Sequence, residues 1–331
     1  MFRNCHFGPT DSCPNDNDSV KLQNIVFFII FIVLYLLSLF KGCDSEMTKN
    51  KTAVFYAILA AALYASNAPA SKLLLKEIPA TMMAGLLYLG AGIGMYILEK
   101  FNNRKQELPL TRKELPYTAA MVLLDIAAPV LLMLGLTRCS AANASLLNNF
   151  EIVATSLIAL LCFREAISKK LWLAIGLVTI SSILLSFEDM SSLQFSWGSI
   201  LVLLACICWG FENNCTRMLS SKNPAQIVII KGFGSGIGAL LLSFVSGERF
   251  FRIGYILPAL VLGFFAYGLS IYFYIYAQRY LGAAKTSAYY AVSPFIGAIL
   301  SLILFLELPS FLFIAAVIIM AIGTYFASTE E

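Results

Sequence analysis

The run from Tyr64 to Ala80 (YASNAPASKLLLKEIPA) returns about 145 residues later as Trp209 to Ala225 (WGFENNCTRMLSSKNPA), with small, basic and Pro-Ala positions in register. Leu89 to Leu98 (LGAGIGMYIL) returns as Phe233 to Leu242 (FGSGIGALLL), and the stretch ending in Phe163 and Glu165 returns as the one ending in Phe305 and Glu307. A chain written twice folds as two copies of one unit, and hydropathy says in which solvent. Of 331 residues, 59% are hydrophobic and 13% charged, with a mean hydropathy of +0.80. That composition belongs in a lipid bilayer, as a carrier assembled from internal repeats. The formal net charge of +4 is small, and nucleic acid is not an expected partner.

Ten apolar segments long enough to span a bilayer follow Met47, at 53–75, 79–98, 117–136, 141–163, 171–187, 197–219, 224–244, 256–276, 283–306 and 311–327. Five fall in each copy, 53–187 and 196–327. An odd number turns the second copy upside down relative to the first. The expected fold class is therefore an all-α membrane protein of ten transmembrane helices arranged as two inverted five-helix repeats. Lys and Arg set its orientation: with the Met47 end inside, roughly 13 basic residues lie on the cytoplasmic side against 5 outside. Loops 99–116 and 164–170 are then cytoplasmic.

Residues 1–46 stand outside the repeat. The apolar run 22–40 is long enough for an additional N-terminal helix, and a start of translation at Met47 is the competing expectation. The only histidine, His6, lies in this polar tail. No His-based metal site or Ser-His pair can be built in the membrane part, and neither cofactor nor metal is expected. Cys162, Cys206, Cys208 and Cys215 sit in apolar runs, where a thiol behaves as a small hydrophobe.

Charge inside a span is expensive, about 2.5–3.5 kcal/mol per residue at mid-helix on insertion scales. Asp125, Glu151, Glu212 and Lys231 are such charges, and Glu212 and Lys231 lie at depths that allow pairing. Asn148, Glu151 and Thr155 share one helical face, as do Thr286, Tyr290 and Ser293. Asn213 and Thr216 make a similar face beside Trp209. Between the copies, Asn67 answers Glu212, Leu87 answers Lys231 and Tyr267 answers Asp125: the scaffold repeats and the charge does not. Gly90 with Gly94 and Gly232 with Gly236 have the GxxxG spacing of close helix packing. Pro69, Pro129 and Pro294 are expected to interrupt the first, third and ninth helices.

The doubled five-helix unit, Trp209-Gly210, the Gly282 to Ala284 run, Pro294, and Glu165 and Glu307 ending corresponding helices resemble the EamA-type members of the drug/metabolite transporter superfamily. The chain departs from that pattern at Arg164 and Leu306, where glycine is usual, and at Glu151. The resemblance implies eight helices around a central cavity with the fifth and tenth peripheral. It also implies substrates among amino acids, other metabolites and drugs, with export the commoner direction.

The expected protein is a plasma-membrane secondary transporter, not an enzyme, moving a small polar or amphipathic metabolite by alternating access. Protons or another ion couple the cycle, with exchange at Glu151 or Glu212. The candidate site is Asp125, Glu151, Glu212, Lys231, Asn67, Asn148, Asn213, Tyr267, Lys285 and Tyr290. A uniporter or exchanger with structural charges and a non-transporting membrane sensor or scaffold are the alternatives.

Overall fold

The computed structural model describes residues 49–101, 108–163, 168–189, 194–219, 222–249, 253–281, 286 and 289–328. The run 22–40 and the candidate Lys285 lie outside the described residues. Helix α1 (Lys49–Ala65) and α2 (Asn67–Leu74) make the first span, and α3 (Ala80–Phe101) the second. Helix α4 (Leu115–Leu136) follows, and then α5 (Ala141–Leu147) with α6 (Phe150–Phe163), and α7 (Lys169–Ser186). Two short strands, β1 (Phe187–Asp189) and β2 (Gln194–Phe195), pair in a hairpin between the copies. The second copy contains α8 (Trp197–Leu219), α9 (Pro224–Val245), α10 (Ile256–Gly263), a π-helical turn at Phe264–Leu269, α11 (Ser270–Leu281), α12 (Ser293–Phe305) and α13 (Phe311–Ser328).

Among the described residues, eight helical segments are long and apolar enough to cross a membrane, and Ser293–Phe305 and Phe311–Ala327 are shorter apolar helices. Leu161, Leu241, Phe244, Ile303 and Phe311 are exposed, while Asp125, Glu212 and Lys231 are buried. Apolar outside and charged inside is the arrangement a bilayer imposes.

The ends of the helices are set locally. Asn223 caps α9, its Oδ1 accepting from the backbone N–H groups of Ala225 (2.9 Å) and Gln226 (3.4 Å), with Pro224 in the first turn where no N–H is needed. Glu248, just past α9, accepts from Thr81 N (3.2 Å) and Met82 N (3.0 Å) and so caps α3. At the opposite end of the same pair, Asn223 Nδ2 donates to Glu99 across 3.1 Å.

Helices α3 and α9 run antiparallel and touch backbone to backbone. A Cβ on Gly232 would lie 2.3 Å from Gly92 Cα, and one on Gly92 would lie 2.9 Å from the Gly232 carbonyl carbon. Only glycine permits that approach. The GxxxG glycines are packing residues as expected: Gly236 faces Leu89, while Gly90 and Gly94 face Leu260 and Phe264. Helix α4 packs on α8, α1 on α11, α6 on α8, and the fourth span on α12. Helices α7 and α13 pair at one side, with Ser181 Oγ donating to the Ala316 carbonyl (2.7 Å).

Two expectations need correction. Pro129 lies inside an uninterrupted α4, whereas the fourth span, which has no proline, is interrupted at 148–149. There Asn149 N bonds Leu146 O (3.0 Å), a tighter turn than the α-helical one. Of the aromatics crowding the eighth span, only Tyr267 is expected to face inward, yet others also pack on neighbouring elements. Tyr274 packs on Tyr290 with ring centroids 4.9 Å apart, and Phe273 stacks on Tyr56 at 4.8 Å.

Candidate functional site

Lys231 sits one-third of the way along α9, and its ammonium is held between two carboxylates from other helices. Its Nζ donates to Glu212 Oε1 of α8 at 2.8 Å. It lies 3.1 Å from Asp125 Oδ2 of α4, an ionic contact rather than an aligned hydrogen bond. Tyr88 of α3 donates its hydroxyl to Asp125 Oδ1 (2.9 Å), and Thr216 donates to Glu212 Oε1 from one turn further along α8. Four helices meet here, placed by the glycine contacts of α3 with α9 and of α4 with α8, where Gly135 faces Val202 and Gly198. Asp125, Glu212 and Lys231 are 0, 3 and 4% exposed.

The charge count of this cluster decides its chemistry. Two carboxylates face one ammonium, so the buried group carries one excess negative charge unless an acid is protonated or a second cation arrives. An unbalanced buried charge costs several kcal/mol, on the order of 3–5.

Beside it lies a neutral pair. Asn67 Nδ2 donates to the Tyr267 hydroxyl (2.9 Å), and Ser71 Oγ donates to Asn67 Oδ1 (3.0 Å). Tyr88 joins the two sites, its ring 5.0 Å from that of Tyr267. Tyr64 packs against both Tyr267 (5.8 Å) and Tyr290 (5.9 Å), which extends a tyrosine wall towards α12.

A third group sits between α6 and α8. Asn213 Nδ2 donates to Glu151 Oε1 (2.6 Å) and Thr155 Oγ1 (3.3 Å), joining the expected faces of the fourth and sixth spans. Tyr290 lies 3.4 Å from Ser270 Oγ. Asn148 is buried at the interruption of the fourth span, outside these hydrogen bonds, and its Oδ1 has no partner among the described residues. Tyr88 and Tyr64 escaped the sequence reading because tyrosine in an apolar run looks like any other interfacial aromatic. The signal that could have found Tyr88 is its place next to Leu87, the counterpart of Lys231.

Apolar spans on the outside with acidic and basic side chains gathered inside define a polytopic membrane protein. The EamA-like transporter family model matches residues 51–187 and again 196–329, and the chain belongs to that family. An uncharacterized transporter of Methanothermobacter thermautotrophicus is 27% identical over 288 residues, covering 80% of this chain and 83% of its own. The uncharacterized inner membrane transporter YedA of Escherichia coli K12 is 27% identical over 234 residues, covering 67% and 72%. A protein crystal structure with 14% identity matches the fold with a TM-score of 0.59 over 84% of this chain and 96% of its own.

Proposed function

We propose that this multi-pass transporter is a secondary carrier of the plasma membrane, exporting a small polar or amphipathic metabolite by alternating access coupled to protons. The observation that carries the reading is the buried Asp125–Lys231–Glu212 group with its one unmatched negative charge. A proton balances it in one stage of the cycle and the cationic end of an amino-acid-like substrate balances it in another. Binding of one therefore expels the other, which is the condition for exchange. Glu151, held by Asn213 next to Glu212 in the chain, gives the proton a second station.

The doubled architecture suits that cycle. Helix α3 pairs with α9, α7 with α13 and the fourth span with α12, while α4 on α8 is matched by α1 on α11. Exchanging the first five spans for the last five maps this scheme onto itself, as ten helices in two inverted repeats, 53–187 and 196–327, require. Rocking one half against the other would expose the buried charge to each side in turn. Loops 99–116 and 164–170 lie in the cytoplasm on this account, by the distribution of Lys and Arg.

A screen of amino acids and organic amines by thermal shift on purified protein tests the site. Compounds that raise the wild-type midpoint should leave Lys231→Ala and Glu212→Gln unmoved. A screen in which variants and wild type respond alike removes the triad from the substrate site.

A further inference from the structure

A second polar cluster lies at the interruption of the fourth span and takes no part in the carboxylate site. Ser145, Asn148, Asn149 and, on α12, Ser293 are 3, 8, 2 and 0% exposed. Among the described residues, Ser145 Oγ, Asn148 Oδ1, both amide atoms of Asn149 and Ser293 Oγ have no hydrogen-bond partner. Each such orphan costs about 1–3 kcal/mol, and the four oxygens among these five atoms call for one ligand that satisfies them together.

They are gathered by the crossing of the fourth span with α12. A Cβ on Gly297 would lie 2.9 Å from Ser145 Oγ and 3.0 Å from the Ala65 carbonyl oxygen. Successive spans alternate in direction, so the fourth and ninth run antiparallel. One turn beyond Ser145, at Asn148 and Asn149, thus lies opposite one turn before Gly297, at Ser293. The Ala65 carbonyl would accept from residue 69 in an unbroken helix, but Pro69 has no N–H to give. The place is lined by hydroxyl, amide and carbonyl oxygens, and Glu151 follows Asn148 by one turn.

Neutral oxygens in this number replace the hydration shell of a monovalent alkali ion, whereas divalent ions at protein sites draw on carboxylates. Glu151, one turn from Asn148, favours a cation over an anion. We propose that Ser145, Asn148, Asn149 and Ser293, with the Ala65 carbonyl, bind a monovalent alkali cation of the sodium class at the crossing of the two halves. This site is separate from the carboxylates and does not depend on their coupling role.

The test is thermal unfolding of the purified full chain at constant ionic strength in sodium, potassium or choline chloride. A saturable rise in midpoint with sodium or potassium, absent with choline, is expected. Ser293→Ala and Ser145→Ala should each weaken the apparent affinity at least tenfold. Ser182→Ala, which removes an unpartnered buried hydroxyl on α7, should leave the response intact. Equal midpoints in all three salts, as a nest filled only by water would give, overturn the proposal. An alkali response kept in both Ser293→Ala and Ser145→Ala also overturns it.

Discussion

Asn67 donates to the Tyr267 hydroxyl across 2.9 Å, joining residues 200 positions apart. In the alignment of the two copies these positions are held by Glu212 and Asp125, which are joined through Lys231. The same helix crossing therefore occurs twice, once neutral and once charged. Leu87 stands where Lys231 would, and without an ammonium the acids would have no partner there. The charged version is the proposed place of exchange, while the neutral version holds the crossing with amide and phenol.

Removing Lys231 alone should be far worse than removing all charge. Lys231→Met leaves two buried carboxylates facing each other and should lower stability by about 3–5 kcal/mol. The triple variant Asp125→Asn, Glu212→Gln, Lys231→Met should recover most of that loss and remain inactive. Unfolding midpoints in detergent check the order, and a triple variant no more stable than the single one contradicts it.

Tyr88 is a positioning residue for Asp125. Tyr88→Phe removes a hydrogen bond to a charged group, worth about 1.5–3 kcal/mol, without emptying the space. Transport should fall, with a shifted pH profile, while Tyr64→Phe, whose described contacts are through its ring, should leave the profile in place. Rates measured across a pH series distinguish the two.

Glycine on the α3–α9 interface is fixed by space. Gly232→Val places a branched side chain where Gly92 Cα already lies 2.3 Å from the first added atom, and it should abolish folded protein. Gly176→Ala on α7, with nothing within 4 Å, should express and unfold like wild type. Size-exclusion profiles of the two variants make the comparison.

The clamp at Glu248 ties α9 to the start of α3. Glu248→Ala should cost about 0.5–2 kcal/mol, the usual value of a helix cap. Thermal unfolding reads it.

Much of this was legible in the sequence. Pairing of Glu212 with Lys231, the inward place of Tyr267 and the packing role of the GxxxG glycines all follow from depth, register and spacing. Asp125 as the second partner of Lys231 does not, because the α4–α9 contact depends on how two separate copies dock. The interruption of the fourth span was also hidden: it forms at Asn148 and Asn149 without proline, at two amide side chains that the tertiary fold buries. Pro129 misled in the opposite direction, since a helix can keep its course past a proline when neighbours support it.

On the proposed cycle the unmatched buried charge couples transport to protons. Its most direct test is pH-gradient-driven transport in proteoliposomes, using a substrate identified by the thermal-shift screen, for wild type and for Glu151→Gln/Glu212→Gln. An imposed gradient should accelerate the wild type and leave the double variant at the rate it shows without a gradient. A double variant that still responds fully to the gradient contradicts it.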